Sequence, residues 1–253
     1  MPLVHPTAVV DPSAELGEQV EIGAFCFVGA GVRLGRGTRL LPRATVLGPS
    51  TLGENNLIYP GAVLGAAPQD RSYRGEPSRL VVGDDNVFRE QTTVHRGTEK
   101  GGGITRVGSR CWLLVGAHIA HDCELGDGVT LTNLATLGGH VRVGQEAVFG
   151  GLVAIAPYVR VGRTSFVAGG ARVETDVPPF VIVQGDRARV RALNRVGLQR
   201  AAVPAESVAL LEVAFRTIFG GSEPRSVGLA RVEREMSTDP WVLELIGALR
   251  ASP

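Results

Sequence analysis

Aliphatic residues mark every sixth position over most of the chain, and glycine follows many of them: Leu16, Ile22, Val28 and Leu34 each precede one. The register begins at Val4 and Val10, runs on through Leu40, Val46, Leu52, Ile58 and Leu64, and resumes at Val82, Phe88 and Val94. After a shift of one residue it continues at Val107, Leu113, Ile119, Leu125, Leu131 and Leu137, and on through Val143, Phe149, Ile155, Val161, Val167 and Val173. A period of six matches neither the 3.6-residue turn of a helix nor the alternation of one long strand. It fits a short strand plus a corner, with the aliphatic side chain inward and the glycine relieving the turn. Three hexads of six close one triangular coil of 18 residues, so Val4 to about Val173 is expected to form a parallel β-helix of about nine or ten coils.

A second inward position lies two residues before the aliphatic one and holds small residues, among them Ala8, Ala14, Cys26, Cys111, Ala117 and Cys123. All three cysteines therefore read as buried thiols. They form neither an even set nor a CxxC pair, which excludes a disulfide framework or a zinc ribbon. Two segments leave the hexads and are expected as loops from corners: residues 66–81 (AAPQDRSYRGEPSRLV) and 97–106 (GTEKGGGITR). Beyond DVPPFVIVQG the pattern becomes helical. Apolar spacings of three and four run from Val203 to Phe219, a glycine pair follows, and Asp239-Pro240 reads as an N-cap and first helical residue before WVLELIGAL. The chain thus divides into a β-helix over 1–186 and a helical domain over 187–253.

Composition adds exclusions. The 34 glycines are about twice the usual share, as the corners require. A formal net charge of +1 gives no global reason to expect a nucleic acid or a membrane surface as partner. No apolar run approaches the roughly 20 residues of a membrane span, and no export signal opens the chain. A soluble, cytoplasmic protein is expected.

Candidate chemistry sits in VGAHIAHDCELG, Val115 to Gly126, because the chain has only five histidines and this stretch holds two. With Ile119 inward, His118 points outward and His121 and Asp122 fall in the corner. One coil later Gly139 lies over His121 and His140 over Asp122, and a further coil brings Ala156, Pro157 and Tyr158 to the same edge. Counting 18 back reaches the glycine-rich excursion, which is expected beside His121. Such an edge suits general base catalysis: an imidazole takes a proton from a hydroxyl near neutral pH while a carboxylate fixes its tautomer. A backbone N–H at Gly138 or Gly139 suits a developing oxyanion. Zinc-binding β-helices of the carbonic anhydrase kind use His-x4-His plus a histidine from a neighbouring strand. The His-x2-His-Asp spacing here departs from that, and neither a metal nor a cofactor is expected.

VHPTA, IGAFCFVG, PQDRSYRGEPSR, TVHRGTEKGGG, AHIAHDCELG, TLGGHVRVG and DVPPFVIVQG, with the C-terminal helices, resemble over essentially the whole length the UDP-N-acetylglucosamine O-acyltransferases that open lipid A synthesis. The resemblance implies a left-handed parallel β-helix with a C-terminal α-helical domain. It also implies a homotrimer with sites between neighbouring subunits, and transfer of an (R)-3-hydroxyacyl chain from acyl carrier protein to the 3-hydroxyl of UDP-N-acetylglucosamine. Position by position it makes His121 the general base, Asp122 its partner and Gly139 the oxyanion donor. Asp70, His118 and His140 would contact the sugar or its nucleotide, and His95 would lie near the nucleotide and acyl groove. Asn194 and Arg200 would hold the nucleotide, and Gly169 would set acyl length, its lack of a side chain leaving room for a longer chain.

Two positions depart from that family. Ser72 stands where it usually carries lysine, and Ala156 where it carries histidine; both remove polar contacts from the sugar side and leave a 3-amino sugar acceptor open. Arg187, Arg191 and Arg195 recur every four residues, which predicts one helix face near Arg200, suited to pyrophosphate or acidic carrier protein or simply to solvent. The alternatives are an N-acyltransferase acting on a related UDP-sugar, as in the paralogous enzyme, and a catalytically silent trimeric scaffold.

Overall fold

A computed structural model describes residues 1–221, 223–236 and 238–251. Among them, short parallel strands build three sheets of 11, 9 and 8 strands that form the walls of a triangular prism. Each strand pairs with the strand one coil later. On the first sheet Trp112 lies opposite Thr130, Thr130 opposite Val148, and Val148 opposite Phe166, a spacing of 18 residues. Main-chain hydrogen bonds join the coils, such as Trp112 N–H to Val129 O at 2.9 Å and Leu114 N–H to Leu131 O at 2.8 Å. The expected parallel β-helix is present.

The hexad aliphatics fill the prism. Phe88, Leu113, Leu131, Phe149 and Val167 stack behind the first sheet without exposure, and Leu64, Val94, Ile119 and Leu137 behind the second. The second inward position is less uniformly apolar than expected. On the first sheet it holds Asn56 and Asn86, both fully buried, and their amides form a ladder between coils: Asn86 Nδ2 donates to Asn56 Oδ1 at 2.9 Å, and Cys111 N–H to Asn86 Oδ1 at 2.7 Å. A buried amide is tolerated where the neighbouring coil supplies its partners.

The glycines after the aliphatic residues do a different job from the one expected. Gly35 has no left-handed backbone, but a Cβ there would run into the carbonyl of Gly53 one coil on. It is the close stacking of coils that excludes a side chain. The left-handed residue is the third of the corner, occupied in successive coils by Asp122 (φ 61°), His140 (φ 63°) and Tyr158 (φ 66°).

Both excursions are shorter than the sequence suggests. Strands resume at Arg79 and Ile104 and pair with each other, Arg79 opposite Ile104 and Val82 opposite Val107. The loops therefore cover 67–78 and 96–103, and residues 79–81 and 104–106 belong to the third sheet.

At the C-terminal end Arg189–Leu193 folds back antiparallel on Val181–Gln184. Helices α1 (Arg195–Arg200), α2 (Ala205–Phe219), α3 (Arg225–Met236) and α4 (Pro240–Ala251) follow. The helical part thus starts at Arg195, not at residue 187. It also follows that Arg187, Arg191 and Arg195 share no helix face: Arg187 lies in a turn, Arg191 in the returning strand, and Arg195 opens α1. Asp239 caps α4 as expected, its Oδ1 accepting from the N–H groups of Trp241 and Val242. A separate core, with Phe180, Leu198, Leu211, Val242 and Leu245, holds the helices together, and Arg163 ties α4 to the prism through Glu244 at 2.7 Å and the Trp241 ring at 4.0 Å. No helix among the described residues is long and apolar enough to cross a membrane.

Cys26, Cys111 and Cys123 are all buried. Burial pushes the Cys111 thiol up to about 11 and that of Cys123 up to about 12. No thiol is therefore expected to react with Ellman's reagent at pH 8 in the native protein, and all three in guanidinium; a native thiol reacting within seconds would contradict the inward placement.

Candidate active site

The strand His118–Ile119 lies between Thr93–Val94 on one side and Thr136–Leu137 on the other. Ile119 enters the core, so His118 faces out. Its Nδ1 is 2.8 Å from Thr93 Oγ1, and its ring meets that of His95 edge-on with centroids 5.3 Å apart. His95 is itself buried and donates Nδ1–H to the carbonyl of Ala67 at 2.7 Å. Burial, reinforced by the neighbouring imidazoles, lowers the His118 pKa to about 4, and burial also lowers that of His95.

After Ile119 the chain turns the corner through Ala120, His121 and Asp122. The Asp122 side chain is only 1% exposed, and among the described residues no arginine or lysine forms an ion pair with it. Hydrogen bonds hold it instead. Thr98 N–H donates to Oδ1 and Thr98 Oγ1 to Oδ2, each at 2.7 Å, and His121 Nδ1 lies 2.7 Å from Oδ2. The Asp122 backbone N–H donates to Thr105 Oγ1 at 2.8 Å. A carboxylate accepts only, so Nδ1 of His121 is the donor in this bond, and in the neutral ring Nε2 is the nitrogen left to accept, as a general base needs.

The next coils build outward from this pair, as the 18-residue register predicts. A Cβ at Gly139 would come within 2.6 Å of His121 Cε1 and 2.8 Å of Nε2, so only glycine lets the imidazole lie against this backbone. The N–H of Gly139 has no hydrogen-bond partner among the described residues. His140 meets His121 edge-on at 5.2 Å, and Tyr158 stacks on His140 at 4.4 Å and 6°. The excursion stands where expected: Gly101 lies so close to Asp122 that a Cβ would enter its carboxylate. Four of the five histidines thus share one edge.

His121, Asp122 and His140 offer ligand atoms within 4.8 Å of one another. A cation there would compete with Thr98 and His121 for Asp122 Oδ2, the shared oxygen. The donor set is already organised as a hydrogen-bonded dyad.

A family model described as UDP-N-acetylglucosamine O-acyltransferase, domain 2, matches residues 176–253. Two curated relatives are named as acyltransferases for acyl-(acyl-carrier-protein) and UDP-N-acetylglucosamine. The one from Anaeromyxobacter sp. (strain Fw109-5) is 45% identical over 98% of this chain and 97% of its own length. The one from Synechocystis sp. is 47% identical over 95% and 87%. The solved UDP-N-acetylglucosamine O-acyltransferase of Moraxella catarrhalis superposes with a TM-score of 0.93 at 33% identity, covering 98% of this chain and 97% of that one. The chain belongs to the UDP-N-acetylglucosamine O-acyltransferase family.

Not every residue that the family resemblance suggests lies at this edge. Gly169 follows Val167 at the corner between the first and second sheets, whereas His121 lies between the second and third; the second sheet separates them. On the Gly169 corner Leu134 and Leu152 are exposed, leaving an apolar edge. Asn194 is buried as the cap of α1, with Oδ1 accepting from Gly197 N–H at 3.0 Å and Nδ2 donating to Thr164 O at 2.8 Å. Arg200 is exposed at the end of that helix. Asp70 does join the His121 region, its carboxyl held below the usual range by the Ser72 N–H and hydroxyl, with smaller effects of Lys100 and His121.

Thr98, Thr105 and Thr93 were not singled out by sequence, because nothing in a threonine's spacing tells which carboxylate or ring it will face. Tyr158 was placed on the edge by register but given no role.

Because His118 is neutral in the fold to about pH 4 and near 6.5 when free, the unfolded chain binds the extra proton between those values, and stability falls as pH drops through that window. Urea unfolding should show a shallower fall from pH 6.5 to 4 in His118→Gln than in wild type; equal falls would rule out a neutral, buried His118.

Proposed function

We propose that the His121 edge transfers an (R)-3-hydroxyacyl chain from acyl carrier protein to the 3-hydroxyl of UDP-N-acetylglucosamine by general base catalysis. One observation carries this reading: the free Nε2 of His121, fixed by the 2.7 Å bond from Nδ1 to a buried carboxylate. In the proposed step Nε2 takes the proton of the sugar hydroxyl, and the oxygen attacks the carrier's thioester carbonyl. Asp122 stabilises the imidazolium, and the N–H of Gly139 meets the oxyanion. Collapse breaks the carbon–sulfur bond, and the imidazolium returns its proton to the leaving thiolate. No enzyme nucleophile is required. Cys123, the thiol nearest in sequence, points into the core, where burial holds it protonated.

The same geometry supports an assembly. The second sheet turns small or uncharged side chains outward at Thr45, Val63, Thr93, Thr136 and Ala154. Three copies packed about an axis through these faces would bring the Gly169 corner of one subunit to the His121 corner of the next. Acyl chain and base would then meet only between subunits, and a homotrimer is the state this reading requires. A cytoplasmic location agrees with substrates carried by acyl carrier protein and uridine nucleotide.

His121→Ala should lower kcat/KM at least 10²-fold with UDP-N-acetylglucosamine and 3-hydroxyacyl carrier protein; more than a tenth of wild-type activity would remove His121 from the base role. A Cβ at Gly169 would meet nothing closer than 3.4 Å, so Gly169→Met should fold. Given a ladder of 3-hydroxyacyl carrier proteins, it should shift the product, read by mass spectrometry, to shorter chains; an unchanged distribution would separate Gly169 from the acyl groove. The same spectra distinguish ester from amide products.

A further inference from the structure

The two excursions meet above the His121 corner, and one short turn links the two carboxylates there, Asp122 through Thr98 and Asp70 through Ser72. Thr98, which donates twice to Asp122, caps the 3-10 turn Glu99–Gly101. Two residues on, Lys100 reaches across to the other excursion, where its Nζ donates to Ser72 Oγ at 2.8 Å. Ser72 in turn donates its N–H and hydroxyl to Asp70 Oδ1 at 2.7 and 2.8 Å. Lys100 is the single lysine among 26 lysines and arginines. An ammonium has three donors on a flexible stem, whereas a guanidinium presents a rigid planar fork. Ser72 takes one of the three, and Lys100 is exposed, so two have no partner among the described residues. Lys100, Ser72 and Asp70 thus form one hydrogen-bonded run beside the turn whose cap holds Asp122, which places cation and carboxylate next to the His121 corner.

We propose that Lys100 is an acceptor-binding residue: its ammonium, seated by Ser72 beside Asp70, donates to the oxygens of the sugar nucleotide. The proposal rests on the reading of the His121 corner as the acceptor site. A sugar nucleotide offers hydroxyls, which suit Asp70 as donors, and ring, hydroxyl and phosphate oxygens, which suit an ammonium as acceptors. Placed side by side, the two groups orient the sugar, not merely attract it. Ser72 is then no simple loss of a cation from the first excursion, since the second excursion returns one to the same point. The contact forms when the acceptor binds and persists through the reaction, so its removal acts on KM more than on kcat.

Steady-state kinetics of the full-length protein with UDP-N-acetylglucosamine and 3-hydroxyacyl carrier protein test this. Lys100→Ala should raise KM for the sugar nucleotide about tenfold, with kcat within about twofold and KM for the carrier unchanged. Lys100→Arg should recover part of the loss, and Ser72→Lys added to Lys100→Ala most of it, because an ammonium returns from the opposite loop. A sugar-nucleotide KM within twofold of wild type in Lys100→Ala overturns the proposal. So does a raised KM that neither charged variant lowers, which would assign the effect to loop packing. Wild-type protein that does not turn over UDP-N-acetylglucosamine would overturn the acceptor reading itself, and this inference with it.

Discussion

Main-chain hydrogen bonds between coils, repeated at a register of 18 residues, are the constraint on which the rest of this molecule depends. They fix the rise from coil to coil at the spacing of paired strands, about 4.8 Å, and so decide which side chains can stack. Aliphatic residues at every sixth position follow, since only an inward apolar column can fill a prism of that width. The glycine after many of them follows too, because at that rise a Cβ at Gly35 would strike the carbonyl of Gly53. The corners inherit the same rigidity. Asp122, His140 and Tyr158 occupy one left-handed position in three successive coils, a conformation that side chains seldom adopt and that here holds a reactive edge in line.

On that edge the dominant electrostatic fact is a buried carboxylate without a cation. Asp122 accepts two hydrogen bonds from Thr98 and one from His121. That arrangement makes the excursion a part of the chemistry. Thr98 comes from residues 96–103, outside the hexads, and without it Oδ1 would lose the one donor found for it among the described residues. His118 and His95 are driven by burial toward the neutral state, while His121 is oriented by a carboxylate. Imidazoles a few ångströms apart thus differ in their surroundings: burial acts on His118 and His95, whereas the ring of His121 is held by a carboxylate and faces that of His140.

Separation of the His121 corner from the Gly169 corner by a whole sheet gives the fold its assembly logic. A prism presents its three edges in different directions, so groups on two edges of one copy never face each other. A site needing both would have to be completed by a second copy, and along the outer face of the second sheet Thr45, Val63, Thr136 and Ala154 present small or uncharged side chains, with Arg172 at its C-terminal end. The helical unit sits apart from this, on its own core, joined to the prism by the returning strand and by Arg163.

Much of this was legible in the sequence because the repeat is one-dimensional: in a coil of fixed length, position along the chain is position in space. Counting by 18 placed Gly139 over His121, His140 over Asp122 and Tyr158 above both, and the excursion beside them. Counting failed where the period breaks. The ends of the loops at Arg79 and Ile104, the strand pairing that absorbs residues 104–106, and the return of Arg189–Leu193 all depend on contacts between segments that carry no hexad. The spacing of Arg187, Arg191 and Arg195 looked helical, yet pairing with Val181–Gln184 drew that segment into a strand, since long-range pairing outweighs a local period. Hydrogen-bond partners were the other blind spot: Thr98 on Asp122, Thr93 on His118, and Lys100 on Ser72 join residues about 25 apart across loops of irregular path. The sequence by itself determined the coil, its core and which residues share the His121 corner, because periodic stacking turns spacing into geometry. Only the tertiary structure decided how the carboxylate is satisfied, which nitrogen of His121 is free, and how two loops share one lysine, because those depend on directions that irregular segments take in three dimensions.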